Sequence, residues 1–193
     1  VVPDNRRRAL LDAAAKFFGR RGFAGTSIRD ISAEVGMLPG SMYYHFSSKE
    51  ALLLAVHEEG VHHIEESVRR ALAKSSGNPW QRLEEACVAH LEALLGGNEY
   101  VQVVTPQFTR LLPADLSKQL VVQRDSYESL FATLVDAVEL PRGVNRRLLR
   151  LTLLGSLNWT LIWYRKGGDS PAQIAQEIVR LFRVRLDEGS DGI

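Results

Sequence analysis

Two short stretches near the N-terminus gather side chains suited to contacting a polyanion. The first is Thr26-Ser27-Ile28-Arg29; the second is Gly40-Ser41-Met42-Tyr43-Tyr44-His45, followed by Lys49. With a helical step of about 100° per residue, Leu38, Pro39, Met42 and Phe46 fall on one side, which must be buried. Gly40, Ser41 and Tyr44 fall opposite, with Tyr43 and His45 on the flanks. The outer face thus offers a glycine that permits close approach, two hydroxyls and flanking aromatic donors. Such groups suit phosphate oxygens and base edges. Arg29 points away from Ile28 and Ile31 and is the best single candidate for a bidentate contact to guanine. Thr26 or Ser27, at a helix start, can offer N–H and hydroxyl groups to a phosphate, and Lys49 can clamp another.

Helices must position these groups, because nearly every segment has helical periodicity and no sustained period-2 alternation occurs. The apolar stripe Leu10, Ala14, Phe17 and Phe18 predicts a first helix over about 6–21, ended by Gly22. Ser27 and Asp30 have capping-box spacing before a helix buried on Ile28, Ile31 and Val35 and broken by Gly36. A third helix is expected over about 39–46. Ser47 and Glu50 suggest another capping box, opening a fourth helix to about Lys74. Ser75-Ser76-Gly77-Asn78-Pro79 is the clearest break. Further helices are expected over about 80–95, 101–112 (disturbed by Pro106), 114–140, 145–165 and 171–186. The fold class is all-α: an N-terminal three-helix helix-turn-helix domain, residues 1–50, and a C-terminal helical domain, residues 51–193.

Composition bounds the function. The 193 residues are 45% apolar, which suits a globular chain with a real core. Residues 1–50 hold eight Lys or Arg against five Asp or Glu, and the remainder 16 against 18. This mild asymmetry is compatible with a polyanion and equally with an ordinary surface. The single cysteine, Cys87, excludes an internal disulfide and a multi-cysteine metal cluster, and reads as a small core residue. The longest uncharged stretch of the C-terminal half, Leu151 to Tyr164, falls short of a membrane span. The charged start predicts no secretory leader, so a cytoplasmic protein is expected. No nucleophile–base set, phosphate loop or metal motif is apparent, so no catalytic residue, metal or cofactor is expected. His57, His62 and His63, interleaved with Glu58, Glu59 and Glu66, read as surface charge pairing, and His90 as structural.

On geometry alone the hairpin at Gly36 is either a DNA reader or an ordinary element of an all-α protein. Its residues decide. The run Thr26-Ser27-Ile28-Arg29-Asp30-Ile31-Ser32-Ala33-Glu34-Val35-Gly36, then Gly40-Ser41-Met42-Tyr43-Tyr44-His45-Phe46, then Ser48-Lys49-Glu50-Ala51-Leu52, resembles the DNA-binding domain of the TetR family of bacterial transcriptional regulators. Phe17-Phe18 and Gly22-Phe23 fit the same pattern. Where family members commonly carry Ser and then Lys before the recognition helix, this chain has Leu38 and Pro39. A side-chain cap and a phosphate-binding lysine are thereby lost. The resemblance implies DNA contacts from Thr26, Ser27, Arg29, Gly40, Ser41, Tyr43, Tyr44, His45 and Lys49. It also implies a homodimer on a palindromic double-stranded operator, acting as a repressor released by a small hydrophobic effector.

The final two helices usually pair with their mates in that family. Leu157, Leu161, Ile174, Ile178, Leu181 and Phe182 are the dimerisation candidates. The helix around Leu148 to Tyr164 is apolar on most sides, which core on one side and a partner on the other would satisfy. The stretch Asn158-Trp159-Thr160-Leu161-Ile162-Trp163-Tyr164-Arg165-Lys166-Gly167-Gly168 resembles family members whose effectors are acyl-CoA thioesters. Trp159 and Trp163 would then line an apolar tunnel with Gln107 and Phe108, while Arg165 or Arg110 meets a phosphate-rich end. Core or dimer packing is the favoured alternative for the two tryptophans, because aromatic stripes on helices are usually core. The reading from a different class is an all-helical lipid- or protein-binding module without DNA binding.

Overall fold

The computed structural model describes residues 5–109 and 111–188. The chain is all-α: α1 (Asn5–Arg21), α2 (Ile28–Glu34), α3 (Pro39–Met42), α4 (Lys49–Lys74), α5 (Pro79–Leu95), α6 (Pro106–Thr109), α7 (Ala114–Ala137), α8 (Arg146–Trp163) and α9 (Pro171–Glu188), with a 3₁₀ turn at Glu99–Val103. No strand occurs among the described residues. Nor is any helix among them long and apolar enough to cross a membrane. Two compact units form: one from the chain up to His63 together with Asn98–Arg124, the other from Ile64–Gly97 and Asp125 onward.

The first unit is built on α1. Leu10, Ala14 and Phe18, spaced four residues apart, share one face and are fully buried. Ile31 of α2, Met42 of α3, Phe46, and Leu52, Leu53 and Val56 of α4 complete that core. Each such side chain contributes on the order of 1.5–3 kcal/mol when fully buried. Gly22 ends α1 at φ 72°, and its N–H donates to the Phe18 carbonyl over 2.9 Å. Such a left-handed turn suits glycine, which lacks a Cβ to clash.

The predicted cap of α2 forms: Asp30 N–H donates to Ser27 Oγ at 3.1 Å, and Ser27 N–H to Asp30 Oδ2 at 3.1 Å. The α4 cap lies one residue beyond expectation, where Ser48 Oγ accepts from Ala51 N–H at 3.1 Å. The third helix is shorter than expected. After Met42 the N–H groups of Tyr43 and Tyr44 turn to carbonyls three residues back, both at 3.3 Å. A segment anchored only through Met42 and Phe46 gains too little to hold a full α-helix. The stretch expected as one helix over 101–112 is instead the 3₁₀ turn followed by α6.

In the second unit α5 packs on α8 and α9. Leu83, Cys87, Leu91 and Leu94 of α5 are buried, as are Leu153, Leu154 and Leu157 of α8 and Ile174, Ala175 and Val179 of α9. Asn78 and Gln81 cap α5 reciprocally. The Arg146 guanidinium donates to the Val135 and Val138 carbonyls at 2.5 and 3.0 Å, closing the α7 C-terminus where a cation is favoured.

Candidate nucleic-acid interface

The hairpin of α2 and α3 turns at Gly36, held at φ 65°. Met37 N–H reaches back to the Ser32 carbonyl at 2.8 Å. Beneath α3, Met42 and Phe46 are buried. Above it, Gly40 is exposed, Tyr44 is 91% exposed and Tyr43 is exposed beside it. A Cβ added at Gly40 would meet nothing within 4 Å, so that surface is open to a close approach. Ser41 and His45 are half-buried on the flanks, and Arg29 and Ser27 are exposed on α2 and at its cap. The structure therefore brings Arg29, Gly40, Ser41, Tyr43, Tyr44 and His45 to the hairpin's surface. An open cleft of about 750 Å³ adjoins it, lined by Asn5, Arg6, Arg8, Gly36, Leu38 and Ser41 among others.

Three expectations for this region need correcting. Thr26 is only 2% exposed, and its hydroxyl donates to the Gly22 and Phe17 carbonyls at 2.8 and 3.2 Å. Its hydroxyl fastens the α1–α2 loop and cannot meet a phosphate. The Lys49 ammonium donates to the Phe23 and Thr26 carbonyls at 2.8 and 2.9 Å and lies 4.1 Å from the Phe23 ring centroid. It pins α4 to the loop before α2 rather than standing free as a phosphate clamp. Leu38, expected on the buried side, is 76% exposed. It is the N-cap of α3, extended at φ −70° and ψ 142°, so helical stepping does not govern its side chain. The signal was in the sequence: Pro39 restricts the residue before it to extended backbone.

The C-terminal candidates separate differently from expectation. Trp159 and Trp163 lie on the outer face of α8, 58% and 47% exposed, with Leu148, Leu151 and Ile162. They line no tunnel in the unit's interior, because Leu153, Leu154, Leu157 and Thr160 occupy the inner face. Arg165 is exposed, and its guanidinium donates to the Tyr164 carbonyl at 2.9 Å at the end of α8. Phe108 packs half-buried against the core of the first unit. Arg110 and the side chain of Gln107 lie outside the described residues. Of the dimer candidates, Leu157 and Ile174 are buried in the chain's own core and cannot face a partner. Leu161, Ile178 and Phe182 are half-buried, and Leu181 is exposed.

Two buried histidines carry contacts the sequence did not reveal. His57 Nδ1 lies 2.8 Å from Gln123 Oε1, while Gln123 Nε2 donates to the Leu54 carbonyl at 3.3 Å, tying α4 to α7. It is not part of a surface charge array. His90 Nδ1 lies 2.6 Å from the Tyr127 hydroxyl, with Phe131 edge-on to both rings. Spacing alone cannot find partners 66 and 37 residues away. No cluster of three metal-ligating side chains occurs among the described residues.

Burial holds both imidazoles at about 4, against the partial relief given by Gln123 and Asn158. The unfolded value is about 6.5. Near pH 7 both forms are neutral and no penalty arises. As pH falls below about 6.5 the unfolded chain binds protons that the folded chain refuses until about pH 4, so stability drops. By pH 5 each histidine costs about 2 kcal/mol. Denaturant unfolding followed from pH 7 to pH 5 should show this loss, and His57→Gln with His90→Gln should flatten the profile.

The model of bacterial regulatory proteins, tetR family, matches residues 10–56. The tetracyclin repressor-like C-terminal domain matches residues 76–186. The HTH-type transcriptional repressor KstR2 of Mycobacterium tuberculosis is 27% identical over 185 residues, covering 88% of this chain and 86% of that protein. Among solved structures, the superantigen PfiT is 30% identical with a TM-score of 0.78, covering 94% of this chain and 97% of that one. AibR, solved with isovaleryl coenzyme A and operator DNA, is 25% identical with a TM-score of 0.77, covering 92% and 97%.

Proposed function

Since the chain belongs to the TetR family of bacterial regulatory proteins, as its relative the transcriptional repressor KstR2 illustrates, we propose that it is a ligand-responsive repressor binding a palindromic operator as a homodimer. Residues 1–50 form the DNA-reading domain, and residues 51–193 bind the effector and the second subunit. The observation that carries this reading is the outer side of α3. Together with the turn that follows it, this side sets exposed Gly40, Tyr43 and Tyr44 above buried Met42 and Phe46, with exposed Arg29 on α2. Such a hairpin lays its second helix in a major groove, and two-fold symmetry sets two copies about 34–36 Å apart.

The second copy fits the apolar stripe of α8. Leu148, Leu151, Trp159, Ile162 and Trp163 are all exposed on one side of that helix, and Leu181 of α9 is exposed too. An unpartnered stripe of this kind marks a protein interface, and Trp is favoured at interface centres. We assign the two tryptophans to dimerisation rather than to effector binding.

The likeness to AibR supports an acyl-CoA as the effector class. The effector acts by moving α4, whose first residue, Lys49, grips the carbonyls of Phe23 and Thr26 just ahead of α2. A shift of α4 therefore displaces the reading segments directly. Coupling of about 1–3 kcal/mol would lower operator affinity roughly 5- to 150-fold.

Titration of the full chain with a duplex selected from a random library tests the reading. Tight, sequence-dependent binding that weakens steeply with salt is expected, and an acyl-CoA panel should include a member that releases the DNA. Binding of acyl-CoA without affinity for any duplex would instead favour a lipid-binding helical module. A panel without effect would remove the acyl-CoA and leave the repressor.

A further inference from the structure

Leu38 serves neither the core nor the helix it begins. Its side chain is 76% exposed, and it gives α3 no side-chain cap. Leucine is among the poorest N-cap residues, where Ser, Thr, Asp or Asn would satisfy a free N–H. The chain thus carries a residue that leaves a four-residue helix less stable and buries little within the subunit. Its backbone is also restricted. Pro39 at the first helical position fixes the backbone on one side, and Gly36, at φ 65°, sets the turn on the other.

The position of Leu38 says what such a side chain can meet. It stands at the leading end of the segment whose outer side carries Ser41 and Tyr44. In a helix-turn-helix the leading residues of the second helix are those that reach base edges. Those edges present donors and acceptors throughout the major groove, and one apolar group, the C5-methyl of thymine. We propose that Leu38 packs on a thymine methyl in each operator half-site and is a specificity-determining residue. The proposal rests on the reading of α3 as the segment that enters the groove. The neighbouring surface suits it: Gly40 leaves open space for the duplex, and Ser41 and Tyr44 can take the polar edges beside the methyl.

Uracil scanning tests it. Each thymine of the selected operator is replaced in turn by uracil, which removes the methyl and keeps every hydrogen-bonding group. The wild-type protein should lose about fourfold in affinity per half-site at one position, the worth of one buried methyl. Leu38→Ala should bind the thymine and uracil operators alike. Leu38→Ser should do the same while unfolding at a higher temperature, because it restores the cap; this separates base reading from folding. Wild-type indifference to uracil at every position would overturn the proposal. So would equal uracil sensitivity in Leu38→Ala. Absence of sequence-specific binding to any duplex would overturn the repressor reading, and this proposal with it.

Discussion

Replacing Arg29 and Tyr44 together with alanine lowers operator affinity by at least a hundredfold and leaves the unfolding temperature within a degree or two of wild type. Both side chains are exposed, and Tyr44, at 91%, touches almost nothing in its own subunit. Their removal opens no cavity and strands no buried partner, so the fold has little to lose. The duplex has much to lose. A bidentate base contact is worth about 1–3 kcal/mol, and the dimer loses each contact twice. Fluorescence anisotropy with the selected operator measures the effect. Wild-type affinity in the double variant would sink the assignment of the reading face. Lys49→Ala makes the contrast, because its ammonium holds the Phe23 and Thr26 carbonyls. It should lower stability as well as binding.

Trp159→Glu combined with Trp163→Glu yields a folded monomer. Both tryptophans are exposed on α8, so the single chain tolerates the change. In a two-fold dimer the same change sets four carboxylates in an apolar interface without counter-charges, which several kcal/mol of desolvation opposes. Operator affinity then falls by a factor of about 100 to 10,000, since one half-site no longer raises the effective concentration of the other. Sedimentation velocity gives the mass and anisotropy the affinity. A variant that remains dimeric would move the interface off this face. Leu157→Glu, two residues from Trp159 but fully buried, should instead unfold the second unit.

Both predictions depend on which side of a helix faces outward, and the two helices were not equally legible. Over α3 and the turn after it, the outward side of Gly40 and Tyr44 could be read from the spacing of Met42 and Phe46, because polar and apolar residues alternate with the helical period. On α8 both sides are apolar, so periodicity had nothing to distinguish. The buried side became Leu153, Leu154, Leu157 and Thr160 only through packing against α5 and α9.

Caps, turns and family were readable from short stretches of chain. The Ser27–Asp30 box, the Gly22 and Gly36 turns and the motif through Lys49 and Glu50 each lie within a few residues of chain, where propensity and capping act. Tertiary structure alone decided the partners of polar groups far apart in sequence. Lys49 found carbonyls 26 and 23 positions away, His57 found Gln123, and Thr26 turned its hydroxyl inward. A buried polar group must be satisfied by whatever packing brings within about 3 Å. That choice belongs to the assembled fold, and no pattern of neighbouring residues encodes it.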